Sequence, residues 1–189
     1  MTNSLELLNT AGTLLTAVII GATAIAAVVQ LRHIRASNEL TAFNEALELW
    51  YSRPIQDGLK FIQLDLAHKM EDPQFRRELD ADGVVDHGSH PDLNVLDFFD
   101  NLGVMVSLGM MREHVILHPA GQLIENLWTR LSPTIAIMRR RRGSQLYVSF
   151  EYLADRARLW QLRYPNGYQV RGWERLPNPD VWLNADNSS

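Results

Sequence analysis

An uncharged apolar run near the N-terminus constrains this 189-residue chain more than any other feature. Residues 7–31, LLNTAGTLLTAVIIGATAIAAVVQL, carry no formal charge. Because a helix rises about 1.5 Å per residue, about 20 such residues cross the hydrocarbon core of a bilayer. We therefore expect residues 1–35 to contain a short N-terminal tail and a transmembrane helix that spans about 7–31.

A cleaved signal peptide and a buried core helix are the alternatives to a membrane anchor. A signal peptide usually has positive charge before an apolar core of about 7–15 residues, but Glu6 is the one charged side chain before this run. A buried helix more often has a polar face, whereas the polar side chains here are threonines, Asn9 and Gln30. The sequence favours the anchor.

The residues that flank the run predict its orientation. Arg32 and Arg35 follow it, and no Lys or Arg precedes it. Since cytoplasmic flanks are enriched in Lys and Arg, we expect a single-pass protein whose C-terminal domain is cytoplasmic.

Small residues recur at helical spacing inside the span. Thr13, Ala17 and Gly21 lie four residues apart, and Ala22 and Ala26 repeat the interval. Such faces let two helices approach closely in lipid. A homo-oligomer formed through the anchor is one interpretation, and a chance pattern in an alanine-rich span is the other.

Helical periodicity continues beyond the anchor, and no Pro or Gly interrupts it before Pro54. Leu40, Phe43, Leu47 and Trp50 recur at spacings of 3, 4 and 3, which is one helical face. The sequence predicts that the anchor leaves the membrane as one long helix.

The rest of the chain predicts an all-α fold, with a small cytosolic helical bundle over residues 36–164 and an irregular tail over 165–189. LNVLDFFDNLGVMVSLGMM is apolar almost all round and predicts a buried central helix. A polar loop over residues 80–92 precedes it. At His118 and Pro119 we expect a junction between two helices.

Three stretches follow the anchor in order: VLDFFDNLGVMVSLGMMREHVI, LIENLWTRLSPTIAIMRRRR and FEYLADRARLW. Together with the single span, they resemble a family of bacterial single-span membrane proteins whose helical cytosolic domain has no assigned function. The resemblance covers roughly residues 15–160 and carries no catalytic signature. It implies this architecture in a bacterial inner (cytoplasmic) membrane, and the tail after Tyr164 lies outside it.

Four consecutive arginines at 139–142 follow an apolar stretch. The simpler interpretation is that they end a helix before Gly143, because cations near a helix C-terminus interact favourably with its dipole. The alternative is contact with anionic lipid, which contributes about 1 kcal/mol per basic residue. The predicted membrane-surface set is Arg32, Arg35, Arg139, Arg140, Arg141 and Arg142.

Two carboxylates, Asp97 and Asp100, fall within the most apolar helix. Burying a carboxylate is costly unless it is paired or neutralised. We expect Arg130 or Arg139 on a neighbouring helix to pair with them. A structural polar pair is favoured, and a functional site is the alternative.

The loop DHGSHPD places Asp86, His87, His90 and Asp92 within seven residues. Such side chains bind transition metals, and histidine can act as a general base near neutral pH. No HExxH or fixed Cys/His spacing accompanies them, so we expect a solvated polar loop. We predict no metal, no cofactor and no catalytic residue.

The aromatic tail offers a partner surface. Trp173 and Trp182 lie in a segment rich in Pro and Gly, and large aromatic residues are enriched at binding hot spots. The alternative is a tail that packs back on the bundle.

Composition excludes several classes of protein. The formal net charge of −4 argues against a general nucleic-acid binder. The chain has no cysteine, which excludes disulfides and thiolate nucleophiles. We therefore expect a membrane-tethered interaction or scaffold module that binds the lipid bilayer and a cytosolic or membrane protein. The alternative is a membrane-associated enzyme or a lipid-binding protein that uses the carboxylates or the basic run.

Overall fold

The computed structural model describes the backbone of residues 2–168, 172, 176–180 and 182, and the side chains from residue 12 onward within these ranges. These residues form seven helices and no strand, which confirms the predicted all-α fold. The helices are α1 (Thr2–Trp50), α2 (Arg53–Leu64), α3 (Leu66–Lys69), α4 (Pro73–Leu79), α5 (Asp92–Ser107), α6 (Glu113–Arg142) and α7 (Val148–Arg163).

Helix α1 is one continuous element of 49 residues, as the unbroken periodicity predicts. Side chains 12–38 are exposed, and this part of the helix is long and apolar enough to cross a membrane. The last turns are different, because Ala46 is buried and Phe43 and Trp50 pack against the core. The same helix therefore has an apolar, exposed half and a half that belongs to the bundle.

Local capping chemistry accounts for the start of α4 and the end of α5. The Asp72 carboxylate accepts a hydrogen bond from the Gln74 N–H at 2.8 Å, and Pro73 occupies the first turn of α4. At the end of α5, Gly109 has φ +68°, a conformation that favours glycine. A tight turn through residues 108–112 then leads into α6.

Helix α6 corrects one prediction. It runs without interruption through Pro119 and Pro133, so the junction expected at His118 is wrong. Both prolines lie at exposed positions, and buried residues such as Leu117 and Ile124 pack on either side of the first one. Tertiary packing thus outweighs the loss of a backbone hydrogen bond at each proline.

The core is organised around four aromatic rings in successive contact, which we call the aromatic column. Trp50 of α1 lies 6.0 Å from Phe99 of α5, measured between ring centroids. Phe99 lies 5.4 Å from Phe150 of α7, and Phe150 lies 5.3 Å from Trp128 of α6. Aromatic pairs at such distances stabilise a fold beyond the burial of their area. The column joins four helices from different parts of the chain.

Phe150→Ala should remove the centre of this column. Phe150 is fully buried, so the substitution leaves a large cavity and should lower the free energy of unfolding by about 3–5 kcal/mol. Urea unfolding of the full-length protein in a non-ionic detergent, followed by circular dichroism, measures the change. Tyr152→Ala, on the same helix but 39% exposed, is the matched control and should cost far less. Equal losses in the two variants would contradict the proposed importance of the column.

Candidate functional site

Three of the four consecutive arginines contact the protein itself. The Arg139 guanidinium donates to the Leu146 carbonyl at 2.9 Å and to Glu151 at 2.7 Å. Arg141 lies 3.3 Å from the Asp82 carboxylate, and Arg142 donates to the Gly83 carbonyl at 2.8 Å. Through these contacts the run fastens the 80–83 loop and the start of α7 to the end of α6.

The run of arginines also lies far from the point where the exposed apolar half of α1 ends. Arg112, just before α6, contacts Glu39 of α1. Because a helix rises about 1.5 Å per residue, Arg139 lies about 40 Å along α6 from that contact. The arrangement favours the structural interpretation of Arg139, Arg140, Arg141 and Arg142 over lipid contact. Arg32 and Arg35 lie at the other end, on exposed positions of α1.

Asp97 and Asp100 are half-buried on the face of α5 that meets the start of α7. The Asp97 carboxylate accepts from the Tyr147 hydroxyl at 3.0 Å, and Asp100 accepts from the Phe150 N–H at 2.9 Å. The other Asp97 oxygen lies 3.7 Å from Nε2 of His87, so these two candidate side chains meet. The hydrogen-bond partners are a phenol and a helix-terminal amide, rather than the arginine that the sequence led us to expect. Arg139 binds Glu151, and Arg130 is exposed.

These two contacts determine how α7 begins. Phe150 is in the first turn of α7, where N–H groups have no partner inside the helix. Asp100 supplies that partner from another helix. Tyr147 precedes α7 with φ +56°, a strained conformation for a residue with a side chain, and its buried ring and bond to Asp97 hold it there. This part of α5 positions α7 by structural contacts.

The DHGSHPD loop, which we expected to be solvated, contains two buried polar side chains. Asp86 and His87 are exposed, as expected, but His90 is 1% exposed and Asp92 is 0% exposed. Thr134 of α6 is also fully buried. We call His90, Asp92 and Thr134 the buried polar trio.

His90 is held by one charged neighbour and one ring. Its Nε2 atom lies 3.2 Å from a carboxylate oxygen of Glu78, and its ring centroid lies 4.2 Å from that of Phe75. Nδ1 makes no hydrogen bond. Burial lowers the pKa of His90, and the Glu78 carboxylate opposes that effect. The imidazole is therefore held mostly in its neutral form at neutral pH.

Asp92 is less well satisfied than His90. Neither carboxylate oxygen makes a hydrogen bond of normal geometry. Burial raises the pKa of Asp92 to about 6, against smaller lowering effects of its own backbone N–H and of the Thr134 hydroxyl. Helix α2 closes over this point, because a Cβ on Gly58 would lie 2.5 Å from the Pro91 carbonyl oxygen. A carboxylate buried in this way affects the stability of the fold rather than a substrate.

The helical periodicity of α5 predicts that Asp92 is buried, whereas the composition of the loop predicts that it is exposed. Val95, Leu96 and Phe99 form the buried face of α5, and Asp92 precedes them by 3, 4 and 7 residues. Extending that face backward places Asp92 inside. Across the described part of the chain, His, Asp and Glu side chains form no group of three able to hold a metal ion.

Asp92→Asn tests the buried carboxylate through pH. A carboxyl group whose folded pKa is raised costs no stability below its unfolded pKa of about 3.9, and costs most above its folded pKa. Asp92 should therefore destabilise the protein progressively as pH rises from about 4 to about 6. The stability of Asp92→Asn relative to wild type should increase across that window by about 2–3 kcal/mol, and then level off.

Thermal unfolding of the full-length proteins in detergent at a series of pH values measures this difference. His90 titrates in both proteins, so its effect largely cancels. Asp57→Asn, at an exposed position of α2, is the matched control for the removal of one carboxylate. A difference between Asp92→Asn and wild type that is flat from pH 4 to 7 would show that Asp92 is not perturbed.

Two surface cavities lie along α1. An apolar groove of about 340 Å³ lies between α1, α5 and α6, where Phe43, Leu47, Phe98 and Leu123 are among its lining residues. A basic cavity of about 720 Å³ lies further toward the N-terminus, between α1 and the 108–112 turn.

A third cavity lies beside Tyr168, the last residue of the continuously described chain. Tyr168 stacks on Trp160 at 5.6 Å and lies 5.4 Å from His118 of α6, so the chain packs on the bundle as far as residue 168. The cavity beside this cluster has a volume of about 540 Å³. Trp182 is 69% exposed, and Trp173 lies outside the described residues. A partner surface formed by these two tryptophans stays a prediction.

A family model with the description "domain of unknown function (DUF4760)" matches residues 17–157. The chain belongs to the DUF4760 family. The match begins within the apolar half of α1 and ends in α7, so the DUF4760 region includes the aromatic column and the buried polar trio. Membership of a family without an assigned function is thereby confirmed. No curated protein and no solved structure shows a significant match to the chain.

Proposed function

We propose that this DUF4760 protein is a membrane-tethered interaction module. In this proposal, α1 spans a bacterial inner membrane, and α2–α7 lie on the cytoplasmic side. The exposed apolar half of α1 and the arginines that follow it support this placement. The continuous helix holds the bundle at a defined height above the bilayer.

The observation that carries the interaction role is an exposed apolar stripe on α1 beyond these arginines. Leu40 is 61% exposed, Leu47 is 37% exposed and Tyr51 is 74% exposed. Leu40 and Leu47 lie on one side of α1. Tyr51, the residue after α1, continues that side, because its N–H donates to the Leu47 carbonyl at 3.1 Å. The stripe borders the apolar groove, which Leu47 and Tyr51 also line. A contiguous apolar surface of this kind on a solvated helix marks an interaction site.

The occupant that fits this surface is an apolar helix of a second protein in the same membrane. Leu40 follows Leu31 by nine residues, so the stripe begins about 13 Å along the helix from the end of the span. A partner anchored beside α1 reaches that height with the first turns that leave its own span. Aromatic and aliphatic side chains line most of the groove, so the partner segment must also be apolar.

A photo-reactive amino acid at Leu47 or Tyr51 tests this proposal in intact membranes. Irradiation of the full-length protein should give an adduct with one protein partner, identified by mass spectrometry. Glu45 is exposed on the opposite side of α1 and is the matched control position, where the adduct should be absent. An adduct with a second copy of the chain would instead establish an oligomer. Equal or no labelling at all three positions would contradict an interaction surface on this stripe.

A lipid-binding role is the second candidate function. The basic cavity between α1 and the 108–112 turn favours it.

A further inference from the structure

The basic cavity brings together arginines from distant parts of the chain. Its volume is about 720 Å³, and its lining includes Arg32, Arg35 and Ala36 of α1 with Gly109 and Arg112 of the turn before α6. Arg32 and Arg35 lie one turn apart on the same side of α1. The small side chain of Ala36 and the absence of one at Gly109 leave the space between these positive groups open.

Arg112 is fixed in place by Glu39. Its Nε donates to both Glu39 carboxylate oxygens, at 2.8 and 2.9 Å, and its backbone N–H donates to one of them at 3.0 Å. Glu39 is 15% exposed, and the hydrogen bonds from Arg112 lower the pKa of its carboxyl group. The carboxylate is therefore ionised and neutralises one of three guanidinium groups. Two positive charges remain for a ligand.

The end of the cavity that Arg32 and Arg35 form lies at the height of the headgroup layer of a bilayer. That layer is about 5–7 Å thick on each side of the hydrocarbon core. Arg32 and Arg35 lie about 2 and 6 Å beyond Leu31 along the helix axis, and Glu39 lies about 12 Å beyond it. The two α1 arginines are thus level with lipid phosphates, and Arg112 closes the cavity from above.

The turn that carries Arg112 also exposes apolar side chains beside the cavity. Leu108 is 69% exposed and Met110, which lines the cavity, is 56% exposed. Apolar side chains next to basic ones are typical of surfaces that rest at the interface of a bilayer. A soluble phosphate ligand gives no reason for this combination.

We propose that the basic cavity binds the phosphate of an anionic phospholipid headgroup, with Arg32 and Arg35 contacting the phosphate and Arg112 positioned by Glu39 to close over it. The proposal rests on the membrane placement of α1 given above. It assigns the lipid contact to the start of the bundle and to a built cavity, rather than to the arginines at 139–142.

Native mass spectrometry of the full-length protein in detergent tests the proposal. Dioleoylphosphatidylglycerol should stay bound in preference to dioleoylphosphatidylcholine. Arg35→Gln should weaken retention of phosphatidylglycerol about fivefold, because the loss of one basic residue near an anionic surface lowers the affinity by about that factor. Arg140→Gln removes an exposed arginine at the far end of α6 and should leave retention unchanged.

Ala36→Phe separates a built cavity from general electrostatic attraction. It fills the space without altering the charge, so retention of phosphatidylglycerol should fall to the level of phosphatidylcholine. Retention like that of wild type in a folded Ala36→Phe variant would show general electrostatic attraction alone and would overturn the proposal. If Ala36→Phe does not fold, as judged by circular dichroism, the result for the exposed Arg35→Gln decides.

Two further measurements separate the sources of failure. If millimolar inorganic phosphate displaces the bound phosphatidylglycerol, the cavity takes free phosphate and the lipid proposal is overturned. Alkaline extraction of vesicles that contain the protein tests the anchor alone. Release of the protein would refute the membrane placement, whereas retention of the protein combined with no preference for phosphatidylglycerol would refute the cavity proposal by itself.

Discussion

The packing of Trp50 against Phe99 is the contact on which the rest of this structure depends. It lies at the end of a 49-residue helix and at the start of the aromatic column, so it joins α1 to the centre of the bundle. The buried Ala46 and the pair between Arg112 and Glu39 hold α1 against the bundle from the same side of this contact. Together these contacts set the direction in which the exposed apolar half of α1 leaves the bundle.

Helix α6 connects two regions that use arginine in different ways. At its start, Arg112 binds Glu39 and connects the bundle to α1 near the end of the apolar run. At its other end, Arg139, Arg141 and Arg142 bind the 80–83 loop and the start of α7. A run of four arginines attracts attention in the sequence, yet the arginines that border an open cavity are the scattered ones. Surroundings, rather than local density of charge, determine what each arginine can do.

Much of the architecture follows from the sequence because it depends on local patterns. The unbroken periodicity from Leu40 to Trp50 predicts one long helix, and Asp72 with Pro73 predicts a helix start. The helix through Pro119 was not predictable from proline alone, since packing on both sides of it is a tertiary effect. The same holds for the contact between Glu39 and Arg112, which are 73 residues apart.

The burial of His90 and Asp92 shows why composition misleads at the edge of a helix. DHGSHPD contains good turn formers, and its first residues are indeed exposed. Asp92, however, is already the first residue of α5 and falls on its buried face. The burial of a polar residue at such a boundary follows from the periodicity of the helix rather than from the composition of the loop before it.

The central claim, that α1 and the bundle form one rigid unit, can be measured directly as a distance distribution. The chain has no cysteine, so Ser37→Cys on α1 and Asn126→Cys on α6 allow two spin labels to be attached at exposed positions. Double electron–electron resonance of the full-length protein in a lipid bilayer should give a single narrow distance distribution. A broad or two-peaked distribution would show a hinge between the anchor helix and the bundle, and would contradict the account.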